Sequence, residues 1–256
     1  MLEDRFTAMS NSVFHFKQFA IHQDKCAMKV GTDGVLLGAW ATANLPGGGA
    51  SSVLDVGTGT GLIALMIAQR NSQAVIDAID IDGDACRQAV ENIKQSPFKD
   101  RISVVKQSFF DFSPAKTYDL ILSNPPFFKN SLHCPDPKRT AARHEDSLPL
   151  KQLLEHAIPK LAKDGRIALI LPSFLSDELD FIIATHHLFL KRRTAVVTVE
   201  GAKPKRLLVE ITTSASHQQA FTPYPLHTSC SLTLATKDHH RTAQYLELTK
   251  DFYLNF

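Results

Sequence analysis

"VLDVGTGTGL", Val53 to Leu62, decides the fold. A short apolar run ends in three glycines, Gly57, Gly59 and Gly61, and leads into "GLIALMIAQR", whose apolar residues read as a helix. A strand, a tight glycine turn and a helix open a βαβ unit. Glycine lets the backbone turn sharply and approach a ligand closely. The spacing is G-x-G-x-G and differs from the G-x-G-x-x-G of dinucleotide folds. Asp55 stands in the strand end, two residues before the first glycine. A carboxylate there suits a ligand with a cationic or amine-bearing end better than a pyrophosphate.

The same alternation continues downstream. "AVIDAI", "RISVVK", "YDLILS", "RIALILP", "RRTAVVTV" and "RLLVEIT" read as strands, which with "SVLDV" makes seven. "GDACRQAVENIKQS", "LPLKQLLEHAIPKLAK" and "SFLSDELDFIIATHH" read as helices between them. The second of these is expected to stop at Asp164-Gly165, a usual helix end. Alternating strands and helices imply a mostly parallel α/β sheet covered on both faces. The last two strands are too close in sequence for a helical crossover, so the final strand is expected to be antiparallel. "RTAQYLELTKDFYLNF" reads as a C-terminal helix.

The second strand ends in "AIDID", with Asp80 and Asp82. A carboxylate at that strand end can accept both hydroxyls of a ribose. Asp80 is the choice for that role, and Asp82 for capping the next helix. A nucleoside ligand is the expectation, although glycines and acids at such turns also serve structure alone.

Bulk properties narrow the classes. The chain has 256 residues and 44% hydrophobic content, enough for one substantial core. A net charge of +2 places any nucleic-acid binding in local patches. Cys26, Cys86, Cys134 and Cys230 lack CxxC spacing, which argues against a zinc site or a thioredoxin-like motif and for a reducing compartment. "MLEDRFTAMS" has no signal-peptide character, and no apolar run reaches the ~18 residues of a membrane span. A soluble cytoplasmic protein without a membrane partner is expected; the sequence leaves the oligomeric state open, with a monomer favoured. "PGGGASS", from Pro46, reads as a linker between an N-terminal extension, residues 1–46, and a main domain, 47–256.

"YDLILS" runs into "NPPFF", Asn124 to Phe128. Ligands of open α/β sheets bind at this strand edge. Pro125 and Pro126 stiffen the exit and push Asn124 towards extended geometry. The Asn124 side-chain oxygen and the Pro125 carbonyl are both acceptors, able to take two N–H bonds from one NH2 group. Held so, a planar amine is drawn towards tetrahedral geometry and its lone pair is freed for attack. Phe127 offers a ring on which a planar substrate can stack. A proline-rich strand exit with both rings in the core is the competing account.

"VLDVGTGTG" followed by "AIDID" resembles the first two motifs of Rossmann-like class I S-adenosylmethionine (SAM) methyltransferases. "NPPF" resembles the [N/D]-P-P-[Y/F] motif of members that modify adenine N6, guanine N2 or glutamine amides. "FKQFAIHQDKCAMKVGTDGVLLGAWA" (Phe16 to Ala41), with these motifs and the ending "DFYLNF", resembles bacterial tRNA(Val) adenine-N6 methyltransferases, which modify the adenosine next to the anticodon. The resemblance covers nearly the whole chain. It implies a SAM-covering N-terminal segment with Lys29, Gly31, Thr32 and Asp33 lining the cofactor, which an ordinary turn before a docking helix would also explain. It implies that the glycine loop lies under the methionine moiety, that Asp80 holds the ribose, and that Asn124, Pro125, Pro126 and Phe127 carry catalysis. No metal is implied, since a sulfonium is already an activated methyl donor. One position departs from the family pattern. Where relatives place an acid for the adenine amine, "KQSFFDF" has Ser108, with Asp111 three residues later, and Phe109 can pack on the ring.

Basic runs supply a candidate tRNA surface or only solvated faces. They hold Arg139 and Arg143, Lys191 to Arg193, and Lys203, Lys205 and Arg206, with Lys17 and Lys25 as further candidates. The expected activity is N6-methylation of a tRNA adenine. Alternatives are a ribosomal guanine-N2 or release-factor glutamine-N5 methyltransferase and, more distantly, a non-catalytic RNA-binding module.

Overall fold

A computed structural model describes residues 12–26, 29–42, 51–126, 149–213 and 230–254. Phe127, Phe128, Arg139, Arg143 and the boundary at residue 46 lie outside the described residues.

The first described elements are a small antiparallel hairpin, β1 (Val13–His15) and β2 (Ala20–His22), and a helix, α1 (Thr32–Thr42). The expected βα alternation follows: β3 (Ser52–Val56), α2 (Leu62–Arg70), β4 (Val75–Asp80), α3 (Gly83–Lys94), β5 (Ile102–Lys106) and β6 (Tyr118–Ser123). After these come α4 (Leu150–Ala157), β7 (Leu161–Pro172), α5 (Ser176–Thr185), β8 (Phe189–Val199), β9 (Arg206–Thr212), β10 (Cys230–Ala235) and α6 (Ala243–Thr249).

Strands β3 to β10 form one sheet in the order β10-β8-β9-β7-β6-β3-β4-β5. It has eight strands, one more than the seven expected. The eighth, β10, pairs parallel to β8 at the sheet edge. Strand β9 is antiparallel, as expected, but it is inserted between β7 and β8 and pairs with both. The short connection explains the insertion. A hairpin turn with Gly201 at φ +83° sends the chain straight back alongside β8.

The two sheet faces carry separate cores. One packs α1, α2 and α3 through Leu36, Leu37, Trp40, Leu65, Met66, Ile67 and Ile93. The other packs α4 and α5 through Leu153, Leu154, Leu179 and Ile182. Beyond its first two residues, helix α1 is apolar nearly all round, as a buried helix must be. Gly38 lets it close on α2, because a Cβ there would meet Met66 Sδ at 2.8 Å.

The helix expected to run to Asp164-Gly165 stops at Ala157 and passes through a 3-10 turn, Ile158–Lys160. Pro159 is the physical reason, since it removes an N–H and crowds the preceding turn. Gly165 lies inside β7, where a Cβ would sit 2.6 Å from the Tyr118 carbonyl oxygen. It is there for close strand approach and does not end a helix.

The first and last described segments pack together. Phe16 stacks on Phe19 and Tyr253, Phe16 bridges Tyr253, and Lys17 N–H donates to the Phe252 carbonyl. The C-terminal helix is shorter than expected, ending at Thr249, and "DFYL" leaves it to form this contact.

Candidate active site

A cleft of about 1210 Å3 opens where β3, β4, β5, β6 and β7 end. Lys29, Gly31, Thr32 and Asp33 line it from the start of α1, and Gly57 and Gly59 from the glycine loop. Asp80, Ser108, Phe109, Asn124, Pro125 and Pro126 line it from the strand ends. Most sequence-predicted site residues therefore share one cavity.

The glycine loop is built for a close approach. Gly57, Gly59 and Gly61 have φ of +71°, +57° and +83°, a region other residues enter only with strain. A Cβ on Gly57 or Gly59 would meet nothing within 4 Å, so the surface above them is open. Four of the loop's N–H groups are already used. Gly57 and Thr58 donate to the Ile79 carbonyl, Gly61 to the Thr58 carbonyl, and Gly59 to Asp80 Oδ2 at 2.8 Å. This leaves no row of free donors for a pyrophosphate, in contrast to phosphate-binding glycine loops.

Asp80 ends β4 and ties the site together. Its Oδ2 accepts from Gly59 and its Oδ1 from Asp82 N–H at 2.9 Å. Each oxygen keeps acceptor capacity towards the cleft. Burial pushes its carboxyl above the usual range. Asp82 caps α3, accepting from Asp84 N–H at 2.8 Å.

Asp55 is not among the cleft-lining residues. It is fully buried beneath the loop, where Oδ2 accepts from Thr58 Oγ1 at 2.7 Å and Ala64 N–H at 3.2 Å. Its Oδ1 is buried without a hydrogen-bond partner. Burial pushes this carboxyl up to about 6 from 3.8. Between about pH 4 and about pH 6 the folded state thus holds a proton that the unfolded chain has released, so stability should fall across that range, and the carboxyl is mostly ionised at neutral pH. About two units correspond to about 3 kcal/mol. Asp55→Asn keeps an acceptor and carries no charge. Urea midpoints at pH 4.5 and 7.5 should show a smaller fall for this variant than for the wild type. Parallel falls would place the proton elsewhere.

Asn124 follows β6 directly. The end of that strand is fixed by Ser123, whose buried hydroxyl donates to the Val56 carbonyl at 2.9 Å, beside the glycine loop. Gly34 of α1 packs opposite, where a Cβ would lie 4.0 Å from Asn124 Nδ2 and 3.1 Å from Leu62.

Several contacts were invisible in the sequence. Asn92, wholly buried in α3, bonds His22 N–H, the His22 carbonyl and the Thr60 carbonyl. It fastens the N-terminal hairpin to the glycine loop. Asp33 and Arg206, assigned separately to cofactor and tRNA, meet in an ion pair at 2.8 Å, and both line the cleft. Phe109 is 5% exposed and largely committed to the core. The more open apolar surfaces on that side of the cleft are Phe110, 38% exposed, and Ile81, 57%. Phe110 N–H donates to Ser108 Oγ at 3.3 Å, so Ser108 shapes this turn.

The other basic residues divide. Arg192 bonds Glu210 and lies over the Trp40 ring, and Arg193 pairs with Asp180. Both stand near the start of β8, at the sheet edge away from the cleft. Lys25 pairs with Glu91, and Lys17 donates to the Lys250 carbonyl. Lys203 and Lys205 are exposed at the β8–β9 turn, on the cleft edge. No helix among the described residues is long and apolar enough to cross a membrane.

The methyltransferase small domain family matches residues 38–187. A Parabacteroides distasonis protein named tRNA1(Val) (adenine(37)-N6)-methyltransferase is 48% identical over 248 residues, covering 96% of this chain and 99% of that one. One of the same name from Bacteroides thetaiotaomicron is 43% identical over 251 residues, covering 96% and 99%. Among solved structures, a predicted O-methyltransferase from Agrobacterium tumefaciens aligns with a TM-score of 0.60 at 14% identity, over 86% of this chain and 96% of that one. The glycopeptide N-methyltransferase MtfA, complexed with SAM, aligns at 0.51 with 12% identity, over 73% and 89%. These two show a shared Rossmann-like fold. With its small-domain match and near-full-length relatives, the chain belongs to the tRNA1(Val) (adenine(37)-N6)-methyltransferase family.

Proposed function

We propose that this chain transfers a methyl group from SAM to N6 of an adenine in tRNA, at position 37 as in its named relatives. One observation carries the proposal: Asn124-Pro125-Pro126 shares a single cleft with the glycine loop and Asp80. The residues fit SAM. The space above Gly57 and Gly59 takes the methionine part, and the orphaned Asp55 Oδ1 beneath places negative charge under its ammonium end. Asp80 holds the ribose, and Phe110 and Ile81 offer apolar surface to the adenine. Lys29, Gly31, Thr32 and Asp33, at the start of α1, close the other wall, with the N-terminal extension acting as the cover.

When bound, SAM supplies an activated methyl on a sulfonium. The chain's work is then positioning and electrostatics. Asn124 Oδ1 and the Pro125 carbonyl accept the two N–H bonds of the adenine amine. Their pull would localise the nitrogen lone pair for attack; the methyl–sulfur bond would break as the nitrogen–carbon bond forms, leaving a thioether, and one amine proton would pass to solvent in the open cleft. Phe127 stacks the base. Arg139, Arg143, Lys203 and Lys205 contact tRNA phosphates, and Arg206 contributes while paired to Asp33.

The test supplies labelled SAM with unmodified tRNA, ribosomal RNA, DNA or release factor, and identifies the product by mass spectrometry. N6-methyladenosine in tRNA is expected. Label in guanine N2 of ribosomal RNA, or in a release-factor glutamine, would replace this assignment.

A further inference from the structure

Beyond the catalytic cleft, Phe174 stands on its rim with about half of its surface exposed, 48%. Single exposed apolar side chains are common on proteins. The position of this one is not. Phe174 comes two residues after Pro172, which lines the cleft and pairs across the sheet with Arg206, another lining residue. The turn bearing it, Ser173–Leu175, is fixed to the β8–β9 hairpin. Ser173 N–H donates to the Lys205 carbonyl at 3.1 Å, and Ser173 Oγ to the Pro204 carbonyl at 2.8 Å. The turn that carries this exposed ring is thereby held against an exposed stretch carrying Lys203 and Lys205, neither of which pairs with an acid among the described residues. The next acids along the chain, Asp177 and Glu178, lie in the first turn of α5.

An exposed aromatic ring on a turn fastened to a cationic hairpin matches single-stranded nucleic acid, in which a base stacks and its phosphates follow the positive charge. We infer that Phe174 stacks a nucleotide flanking the target adenosine, with Lys203 and Lys205 holding the adjoining phosphates. This rests on the proposed action at an adenine in RNA, and makes the Ser173–Leu175 turn a substrate-positioning element. Phe174 touches the RNA outside the reacting base, so it acts on substrate affinity.

The test uses the full-length protein and an anticodon stem–loop RNA with an unmodified target adenosine, alongside versions lacking the base at each flanking position in turn. RNA binding is followed by fluorescence anisotropy, SAM binding by calorimetry, and methyl transfer by KM and kcat. Phe174→Ala should weaken RNA binding roughly ten-fold. It should raise KM for RNA by a similar factor, with kcat and SAM affinity unchanged. Phe174→Tyr should restore binding, because only the ring is needed. Removing one flanking base should cost the wild type a similar factor and cost Phe174→Ala nothing further. Full-strength RNA binding by Phe174→Ala, failure of Phe174→Tyr, or additive losses at both flanking positions would each overturn the inference. The wild type's own turnover separates the two proposals. If it binds the stem–loop with this coupling and transfers no methyl, the proposed reaction is wrong and the stacking contact stands. If it binds no RNA, both fall.

Discussion

Asn124→Ala should reduce kcat by about 10²–10³ while leaving SAM affinity within about two-fold of wild type. The expectation follows from when the contact is needed. The lone pair of an adenine amine is delocalised into the ring, so the two acceptors gain most as the nitrogen becomes tetrahedral and its N–H groups more acidic. An interaction that strengthens only in the transition state appears in kcat. Asn124 follows β6 and is only partly buried, and the strand end beneath it is held by the Ser123–Val56 bond. The variant should therefore fold with an unchanged urea midpoint. Single-turnover transfer on saturating RNA measures the chemical step, and calorimetry measures SAM. Asn124→Asp, which keeps two acceptor oxygens, should retain more of the rate than Asn124→Ala. A variant that keeps most of its single-turnover rate would end the acceptor-pair mechanism. A matching loss of SAM affinity would show that Asn124 works by shaping the cofactor side of the cleft.

The sheet was legible wherever an element's residues carry its period. The runs from "SVLDV" to "RLLVEIT" are strands, and the glycine turn lies where its spacing puts it. Elements at the edges were harder to see. Strand β10, "CSLTLA", alternates apolar and polar residues, yet only Leu232 is fully buried, and an edge strand carries a weak signal. The hairpin β1–β2 has three-residue strands, too short for any period to register. Asp164-Gly165 misled because glycine serves both as a helix stop and as a point of close backbone approach. Only the Tyr118 carbonyl, in another strand, distinguishes the two uses. At the site, residue types and strand ends located Asp80, Asn124 and the loop. Long-range partners had no local trace: the Asp33–Arg206 pair spans 173 positions, and the Asn92 ties depend on how α3 docks.

Asp80→Ala should weaken SAM binding about 100-fold or more, whereas Asp82→Ala should change it by less than about three-fold. Bonds to a charged acceptor contribute roughly 1.5–3 kcal/mol each, and two ribose hydroxyls share this carboxylate in the proposed complex. A second effect adds to the first. Asp80 Oδ2 holds Gly59 N–H, so alanine also frees the loop that lies under the methionine moiety. Asp80→Asn separates the two contributions. Its side-chain oxygen can still accept from Gly59, and what remains lost is the charge and one ribose acceptor. Asp82 faces the opposite trade. Its Oδ1 caps α3 through Asp84 N–H, so Asp82→Ala should cost about 1 kcal/mol of stability with SAM binding nearly intact. Calorimetric titration of SAM and urea unfolding of all three variants separate affinity from stability. A large affinity loss in Asp82→Ala, or none in Asp80→Ala, would move the ribose contact off the end of β4. Losses in Asp80→Asn equal to those in Asp80→Ala would make the charge and the second ribose acceptor, rather than the tether to Gly59, the source of the affinity.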